Sequence, residues 1–356
     1  MGPCWPAPAF MIRTREQRRH GIRLLNLRVD VWLFLLVLAS SVLALLCLSP
    51  NNLSLQVEEG PPVEAFITPD EELPAEQALP PAGRPVRFLM YNVQNYFVAG
   101  ETSRSRYVSR PKSEASRNAV ADVIAEAAPE IVGLIEIGGE KAMADLRERL
   151  AERGLEYAHA YVLTRQGEDR ALGILSQHPI VRNDSVADMP LRGRQRRLML
   201  RGVLDVTVEL ADGRQFRLIG AHLKSRMATD ARAAEHLRIE EARTLAYYLH
   251  MLLRRNPSIP LLVFGDWNDG PADSSLSVIR SGLSDVSALT RLKPADSRGH
   301  EWTLHYEAEQ TYYAFDQMYV NAAMRTRRGR RSRCGIVDID SAAKASDHRA
   351  LWCELR

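Results

Sequence analysis

The sequence predicts one layered α/β domain running from Pro85 to the C-terminus, behind an N-terminal membrane-spanning helix. Three observations predict it. From Pro85 onward helix-like and strand-like patterns alternate; the strand-like runs end in carboxylates, amides and imidazoles; and a long uncharged run precedes the domain. The composition, 46% hydrophobic and 26% charged over 356 residues, is that of an ordinary globular chain and excludes a disordered, collagenous or multi-span membrane protein.

Val31–Leu48 (VWLFLLVLASSVLALLCL) carries no charge and is about as long as a spanning helix needs to be. Arg13, Arg15, Arg18, Arg19, Arg23 and Arg28 precede it, and the first charges after it are acidic. The positive-inside rule therefore predicts a cytoplasmic tail (1–30), an anchor (31–48) and an extracytoplasmic remainder. A cleaved signal peptide fits less well, because its apolar region is normally about 7–15 residues and ends in a small-x-small site. The Arg- and Ala-rich style and the single anchor point to a bacterial inner membrane with a periplasmic domain. Residues 49–84 intersperse Pro61, Pro62, Pro69, Pro74, Pro80 and Pro81 with Glu58, Glu59, Glu64, Asp70, Glu71, Glu72 and Glu76, and read as a disordered linker too poor in large apolar residues to offset its ordering entropy. Residues 1–84 hold 7 basic and 9 acidic side chains of the chain's 47 and 44, which leaves 40 and 35, about +5, for the domain 85–356.

Within the domain, Val86–Val93 reads as a strand and Ser116–Ala128 as a helix stopped by Pro129. Ile131–Ile137 (IVGLIEI) is a continuous apolar strand suited to a sheet centre. Leu198–Val208 and Gln215–Ala221 flank Ala211-Asp212-Gly213, a hairpin signal. A long amphipathic helix, about Ala228–Arg254, leads through Pro257 and Pro260 to the buried strand Leu261–Phe264. No internal repeat is visible.

The polar residues at these strand ends carry the chemistry: Asn92, Glu136, His222, Asp266 and Asn268, Asp316, then Asp347 and His348. A carboxylate or imidazole embedded in an apolar strand is costly unless it is paired or holds a metal. Singly, each has a plainer reading: Glu136 paired with an arginine, His222 a satisfied core histidine, GDWND (265–269) a turn. Together they form a set of oxygen donors suited to a hard cation, Mg²⁺ or Mn²⁺, with two histidines able to move protons around a phosphoryl group.

In the motifs YNVQNYF (91–97), APEIVGLIEI (128–137), GAHLKS (220–225), GDWND (265–269), FDQMYV (315–320) and SDHRA (346–350), in that order, the chain resembles the endonuclease/exonuclease/phosphatase superfamily of DNase I-like phosphoesterases. The resemblance implies a four-layered α/β sandwich of two packed, mainly antiparallel sheets flanked by helices. It implies a metal site of Asn92, Glu136 and Asp347, with Glu136 the direct ligand. Asp266 would orient and deprotonate water, Asn268 would hold a phosphate oxygen, and His222 would contact the phosphate and assist the leaving oxygen. His348, oriented by Asp316, would be the second imidazole, as base or as stabiliser of charge; Arg170 would be a phosphate contact, and Lys224 either another or a solvated lysine.

The expected activity is hydrolysis of phosphate esters by activated water, as a phosphodiesterase or endonuclease, with a phospholipid hydrolase and a catalytically silent tethered module as alternatives. Arginines 192, 194, 196, 197 and 201, and 325, 327, 328, 330, 331 and 333, form two clusters that read either as phosphate-binding surfaces or as solvated loops. The partners expected are a nucleic-acid or phospholipid substrate and the membrane through Val31–Leu48, with no obligate protein partner. Cys334 and Cys353 flank the Ser346-Asp347-His348 loop on strand-like segments and, as antiparallel neighbours, would form a disulfide in an oxidising compartment or remain two buried thiols.

Overall fold

The structure is a computed structural model that describes residues 62–66, 83–101, 111–326 and 333–356. The expected anchor Val31–Leu48, nearly all of the expected linker and the second arginine cluster between Arg327 and Arg331 lie outside the described residues. Among the described residues no helix is long and apolar enough to cross a membrane.

The described strands, in chain order, are β1 (Val86–Tyr96), β2 (Ile131–Ile137), β3 (His159–Arg165), β4 (Glu168–Ser176), β5 (Ile180–Asn183), β6 (Pro190–Leu191), β7 (Arg194–Leu198), β8 (Leu204–Glu209), β9 (Gln215–His222), β10 (Leu261–Asp266), β11 (Thr290–Arg291), β12 (Leu304–Tyr306), β13 (Thr311–Tyr313), β14 (Asp316–Val320), β15 (Cys334–Ile336) and β16 (Leu351–Leu355). The longer helices are α1 (Glu114–Ala127), α2 (Glu140–Ala151), α3 (Ala231–Arg255) and α4 (Ser274–Ser281). Two six-stranded sheets run β15-β16-β1-β2-β4-β3 and β11-β14-β10-β9-β8-β5. Each has one parallel pair at its centre, β1/β2 and β9/β10, and antiparallel neighbours elsewhere. Helices α1 and α3 are the crossovers that parallel pairing requires. The topology thus repeats although the sequence does not.

Local chemistry sets these boundaries. Ser113 caps α1, its Oγ accepting the Ser116 N–H at 3.2 Å, and the helix ends on Ala128 in the left-handed region, just before Pro129. The long helix starts at Ala231, later than its periodicity suggests, because Asp230 caps it by accepting the Ala233 N–H at 2.9 Å. The strand expected from Leu198 begins at Leu204 instead, since Arg194–Leu198 pairs with Pro190–Leu191 in a separate ribbon.

Residues from the facing sides of both sheets, among them Phe88, Ile135, Leu218 and Met318, form the central apolar layer. The Phe88 and Phe264 rings meet across it with centroids 5.1 Å apart. Gly133 on β2 makes room for this contact: a Cβ there would fall 2.5 Å from Phe264 Cε2. A second apolar cluster joins α1 and α2 to the outer face of the first sheet, and a third joins α3 and α4 to the outer face of the second, giving four layers. Within the expected linker, residues 63–66 form a 3₁₀ turn with Val63 buried in this third cluster, so that short apolar piece belongs to the folded domain.

Cys334 lies opposite Cys353 in the β15/β16 pair. The Glu354 N–H donates to Arg333 O and the Val337 N–H to Ala350 O, both at 2.9 Å, so by alternation Cys334/Cys353 is a non-hydrogen-bonded pair. At such a position Cα atoms approach to about 4.5 Å, within the span of a disulfide. In protein matured in an oxidising compartment, peptide mapping is expected to show alkylation of Cys334 and Cys353 only after reduction. Alkylation of both without reduction contradicts the bridge.

Candidate active site

Strands β1, β2, β9 and β10 all end at one edge of the sandwich, and their antiparallel neighbours β14 and β16 begin there. That common edge gathers Asn92, Glu136, His222, Asp266, Asp316 and, in the loop before β16, Asp347 and His348. Asp266 stands in register with His222 on one side and Asp316 on the other.

Asp266 is the hub. Its Oδ1 accepts the Asn268 N–H at 3.0 Å and its Oδ2 accepts from Asn92 Nδ2 at 2.9 Å. Oδ2 also lies 3.4 Å from His222 Nε2 and 3.9 Å from His348 Nε2. Burial, then repulsion from Asp316, pushes the Asp266 carboxyl up to about 7. The two histidines are driven apart. Burial opposes charge on His348, but the attraction of Asp316, its hydrogen bond to Nδ1 at 2.7 Å and the charges of Asp266 and Asp347 outweigh it and hold the pKa well above the usual histidine value. His222 is pushed well below that value by burial and then by Arg201, Arg170, His348 and Lys224, so it stays neutral.

The backbone is strained where the site needs it. Gln94, Asn95, Glu136 and Asn268 all have φ between 46° and 63°, the left-handed region that costs non-glycine residues roughly 1–2 kcal/mol each. Register shifts fall between Asn92 and Tyr96 in β1 and between Ile135 and Ile137 in β2, so each strand bulges at the site and re-aims its polar side chain. The bulge lets the Asn95 N–H donate to Glu136 Oε2 at 3.1 Å.

GDWND packs a different duty into each residue. Gly265 sits where a Cβ would lie 2.4 Å from Ala221 O. Trp267 is wholly buried and donates to Gln317 O at 3.1 Å. Asn268 Nδ2 donates to Leu223 O at 3.1 Å, and Asp269 pairs with Arg226 and Arg238. Ser346 ties the last loop to β1 by donating to Asn92 O at 2.8 Å while accepting the His348 N–H at 3.0 Å.

All eight residues expected as catalytic or metal-holding thus meet. Arg170 reaches the site, but its Nε is committed to Asn95 Oδ1 at 2.7 Å and lies 3.4 Å from Glu136 Oε2, so it steadies Glu136. Lys224 lies past the end of β9, its backbone N–H held by Glu241, and its ammonium sits among Arg201, Glu241, Glu168 and Arg170. The first arginine cluster divides: Arg192, Arg194, Arg196 and Arg197 are exposed, whereas Arg201 is buried and acts on His222. Residues that motif reading missed are Asn95, Tyr91, whose buried hydroxyl has no hydrogen bond among the described residues, and Lys112, whose Nζ donates to Gln94 O at 3.0 Å; Arg201 was marked only as one of an arginine run. Asn95 lay inside YNVQNYF; nothing near Lys112 marked it.

Two donor sets compete for a metal ion. Ligand atoms of Asp266, Asp316 and His348 fall within 4.8 Å of one another, but there the imidazole and the Asp316 carboxylate already satisfy each other. Glu136 Oε1 makes no hydrogen bond among the described residues, its nearest ion-pair partner being His222 Nε2 at 3.9 Å, and Asp347 is partly exposed at the rim. Glu136, with one oxygen open, and the exposed Asp347 carboxylate are the kind of oxygen ligand a hard divalent cation takes, whereas the Asn92 amide is already engaged, its Oδ1 accepting the Gln94 N–H at 3.0 Å and its Nδ2 donating to Asp266.

The fold and site define a DNase I-like class of phosphoesterase. The Endonuclease/Exonuclease/phosphatase family model matches residues 91–348, and the chain belongs to that family; it is a hydrolase of phosphate esters. Among solved structures, one of an endonuclease/exonuclease/phosphatase from Bacteroides vulgatus is 15% identical with a TM-score of 0.56, covering 77% of this chain and 99% of that one. The human Nocturnin catalytic domain with bound sulfate is 16% identical with a TM-score of 0.53, covering 76% and 94%. Truncated Caenorhabditis elegans TDP2 is 15% identical with a TM-score of 0.52, covering 76% and 97%. These likenesses are of fold. No curated protein sequence matches the chain.

In metal-free protein, nuclear magnetic resonance is expected to find the His348 ring titrating well above the ordinary histidine value. In Asp316→Asn its midpoint is expected to fall toward the ordinary value near 6.5. A midpoint unmoved by that substitution contradicts the electrostatic assignment.

Proposed function

We propose that the protein is a Mg²⁺- or Mn²⁺-dependent phosphodiesterase of the endonuclease type, held to a bacterial inner membrane by Val31–Leu48 with the domain on the periplasmic side. The observation that carries the chemistry is the convergence of His222, His348 and Asn92 on Asp266 Oδ2.

The residues divide the work as follows. Asp266, titrating near neutrality, takes a proton from the attacking water, while Asn92 and the Asn268 N–H fix its two oxygens. His348, kept cationic by Asp316, stabilises charge developing on the phosphoryl oxygens and can yield its proton to the leaving oxygen. Neutral His222, its Nε2 3.4 Å from Asp266 Oδ2, would contact a phosphoryl oxygen and assist the leaving oxygen. Glu136 and Asp347 would hold the divalent ion, which when bound polarises and neutralises a phosphoryl oxygen. Every expected position keeps its functional group, which favours an enzyme over a silent tethered module. A polynucleotide substrate is supported by the domain's net positive charge and by the exposed arginines 192, 194, 196 and 197.

The test is hydrolysis by the full-length protein of DNA, RNA and phospholipid vesicles. Cleavage of a polynucleotide that EDTA abolishes and Mg²⁺ or Mn²⁺ restores is expected, with Asp266→Ala and His348→Ala each lowering kcat/KM by about 100- to 10,000-fold. Turnover of phospholipid alone would replace the substrate assignment. Near-normal activity in the folded double variant would end the mechanism.

A further inference from the structure

The work assigned to His348 depends on how its imidazole is held to Asp316. Asp316 Oδ1 makes no hydrogen bond among the described residues, so the His348 ring, its Nδ1 2.7 Å from Oδ2, is the one side-chain partner of that carboxylate there. The aim of each side chain is therefore set by its backbone, and both backbones lead to Thr303. Strand β11 pairs with β14 only at Tyr319 and Val320, so the Asp316 end of that edge has no sheet partner, and the Asp316 N–H donates instead to Thr303 Oγ1 at 3.0 Å. The N–H of Arg349, next after His348, donates to Thr303 O at 2.7 Å. Thr303 is buried and is held in turn by its own N–H, which donates to Tyr313 O at 2.7 Å. The Arg349 side chain pins the same stretch. It is 7% exposed, its Nη1 lies 3.1 Å from Asp296 Oδ2 and its Nη2 3.3 Å from Asp338 Oδ1, and its guanidinium covers the Trp302 ring at 4.1 Å. Asp296 Oδ1 is itself fixed by the N–H groups of Arg298 and His300, at 2.9 and 2.8 Å.

Resting on the catalytic reading of His348 above, we propose that Thr303 and Arg349 are positioning residues for the His348–Asp316 couple: Thr303 spaces the two residues, and Arg349 locks Thr303 in register with the catalytic loop. Neither touches the reacting atoms. The Thr303 hydroxyl is the specific requirement. A serine keeps an acceptor for the Asp316 N–H, whereas a valine of similar shape leaves that buried donor unpaired and frees the start of β14 to shift. Arg349 acts through its planar fork, stacked on the indole and spanning two carboxylates, a grip that the single compact ammonium of a lysine does not reproduce. Small displacements matter here, since about 1 Å of misplacement in a positioned group costs about 100-fold in rate.

The test reads two quantities on the full-length protein: kinetics on a fluorophore-labelled DNA oligonucleotide with Mn²⁺, and the magnetic resonance signal of the His348 Nδ1 proton in metal-free protein. Thr303→Val is expected to lower kcat by about 10- to 100-fold with KM within about 3-fold of wild type, and to lose the Nδ1 proton signal to exchange with water. Thr303→Ser is expected to keep both. Arg349→Lys is expected to lower kcat by about 3- to 10-fold and to weaken the same signal. A folded Thr303→Val with wild-type kcat, a loss confined to KM, or a Thr303→Ser that behaves like Thr303→Val overturns the proposal. If Thr303→Val does not fold, Arg349→Lys decides, and wild-type kcat and signal in that variant overturn it. A wild type that cleaves no diester defeats the functional reading, and the proton signal across the same variants then tests the positioning of His348 by itself.

Discussion

Asp266 and Asp316 stand opposite each other on neighbouring strands, both buried, and the arrangement is tolerable only if positive charge is brought to them. An unpaired buried charge costs about 3–5 kcal/mol, a large share of the roughly 5–15 kcal/mol that holds a typical domain together. His348 supplies the charge, its Nδ1 2.7 Å from Asp316 and its Nε2 3.9 Å from Asp266. The same attraction that makes the fold possible keeps that imidazole protonated. Burial, reinforced by the residual repulsion from Asp316, keeps Asp266 titrating near neutral pH. Stability and proton chemistry thus share one origin.

This constraint explains why the surrounding chain is built as it is. The two parallel pairs end at one edge, so four strands deliver polar residues to a common spot while their remaining length fills the apolar layers. The strained residues Gln94, Asn95, Glu136 and Asn268 sit at or beside these strand ends. Their combined cost, at roughly 1–2 kcal/mol apiece, is held by the Phe88–Phe264 layer and by specific clamps: Ser346 on Asn92, Asn95 on Glu136, Lys112 on Gln94. The neutral His222 and the cationic His348, either side of one carboxyl, give a neutral group and a charge with separate tasks.

Much of this was legible in the sequence. Ile131–Ile137 reads as a strand to the residue because six apolar positions interrupted by a single glutamate leave few alternatives, and Glu136, His222, Asp266 and His348 stood out as polar groups where apolar ones belonged. Glu136 satisfies two readings at once, paired with Arg170 and open to a ligand on its other oxygen. What was not legible depends on tertiary position. Arg201 belongs to an arginine run whose other members are solvated, and it separates from them because Leu200 is drawn to the buried Glu241 of α3. Lys112 carries no pattern at all, since its role arises from a bulge some 18 residues earlier in the chain. The strand expected from Leu198 starts at Leu204 because Arg194–Leu198 pairs with Pro190–Leu191 in its own ribbon, which the pattern of side chains along this stretch does not show.

The central claim is that Glu136, with Asp347, holds the ion while Asp266, Asp316 and His348 remain free for proton transfer. Anomalous diffraction from crystals of the protein grown with Mn²⁺ tests this most directly. The account predicts an anomalous peak about 2.1 Å from a Glu136 carboxylate oxygen, with the His348–Asp316 hydrogen bond intact. A peak ligated by His348 and Asp316, with Glu136 uninvolved, would contradict it.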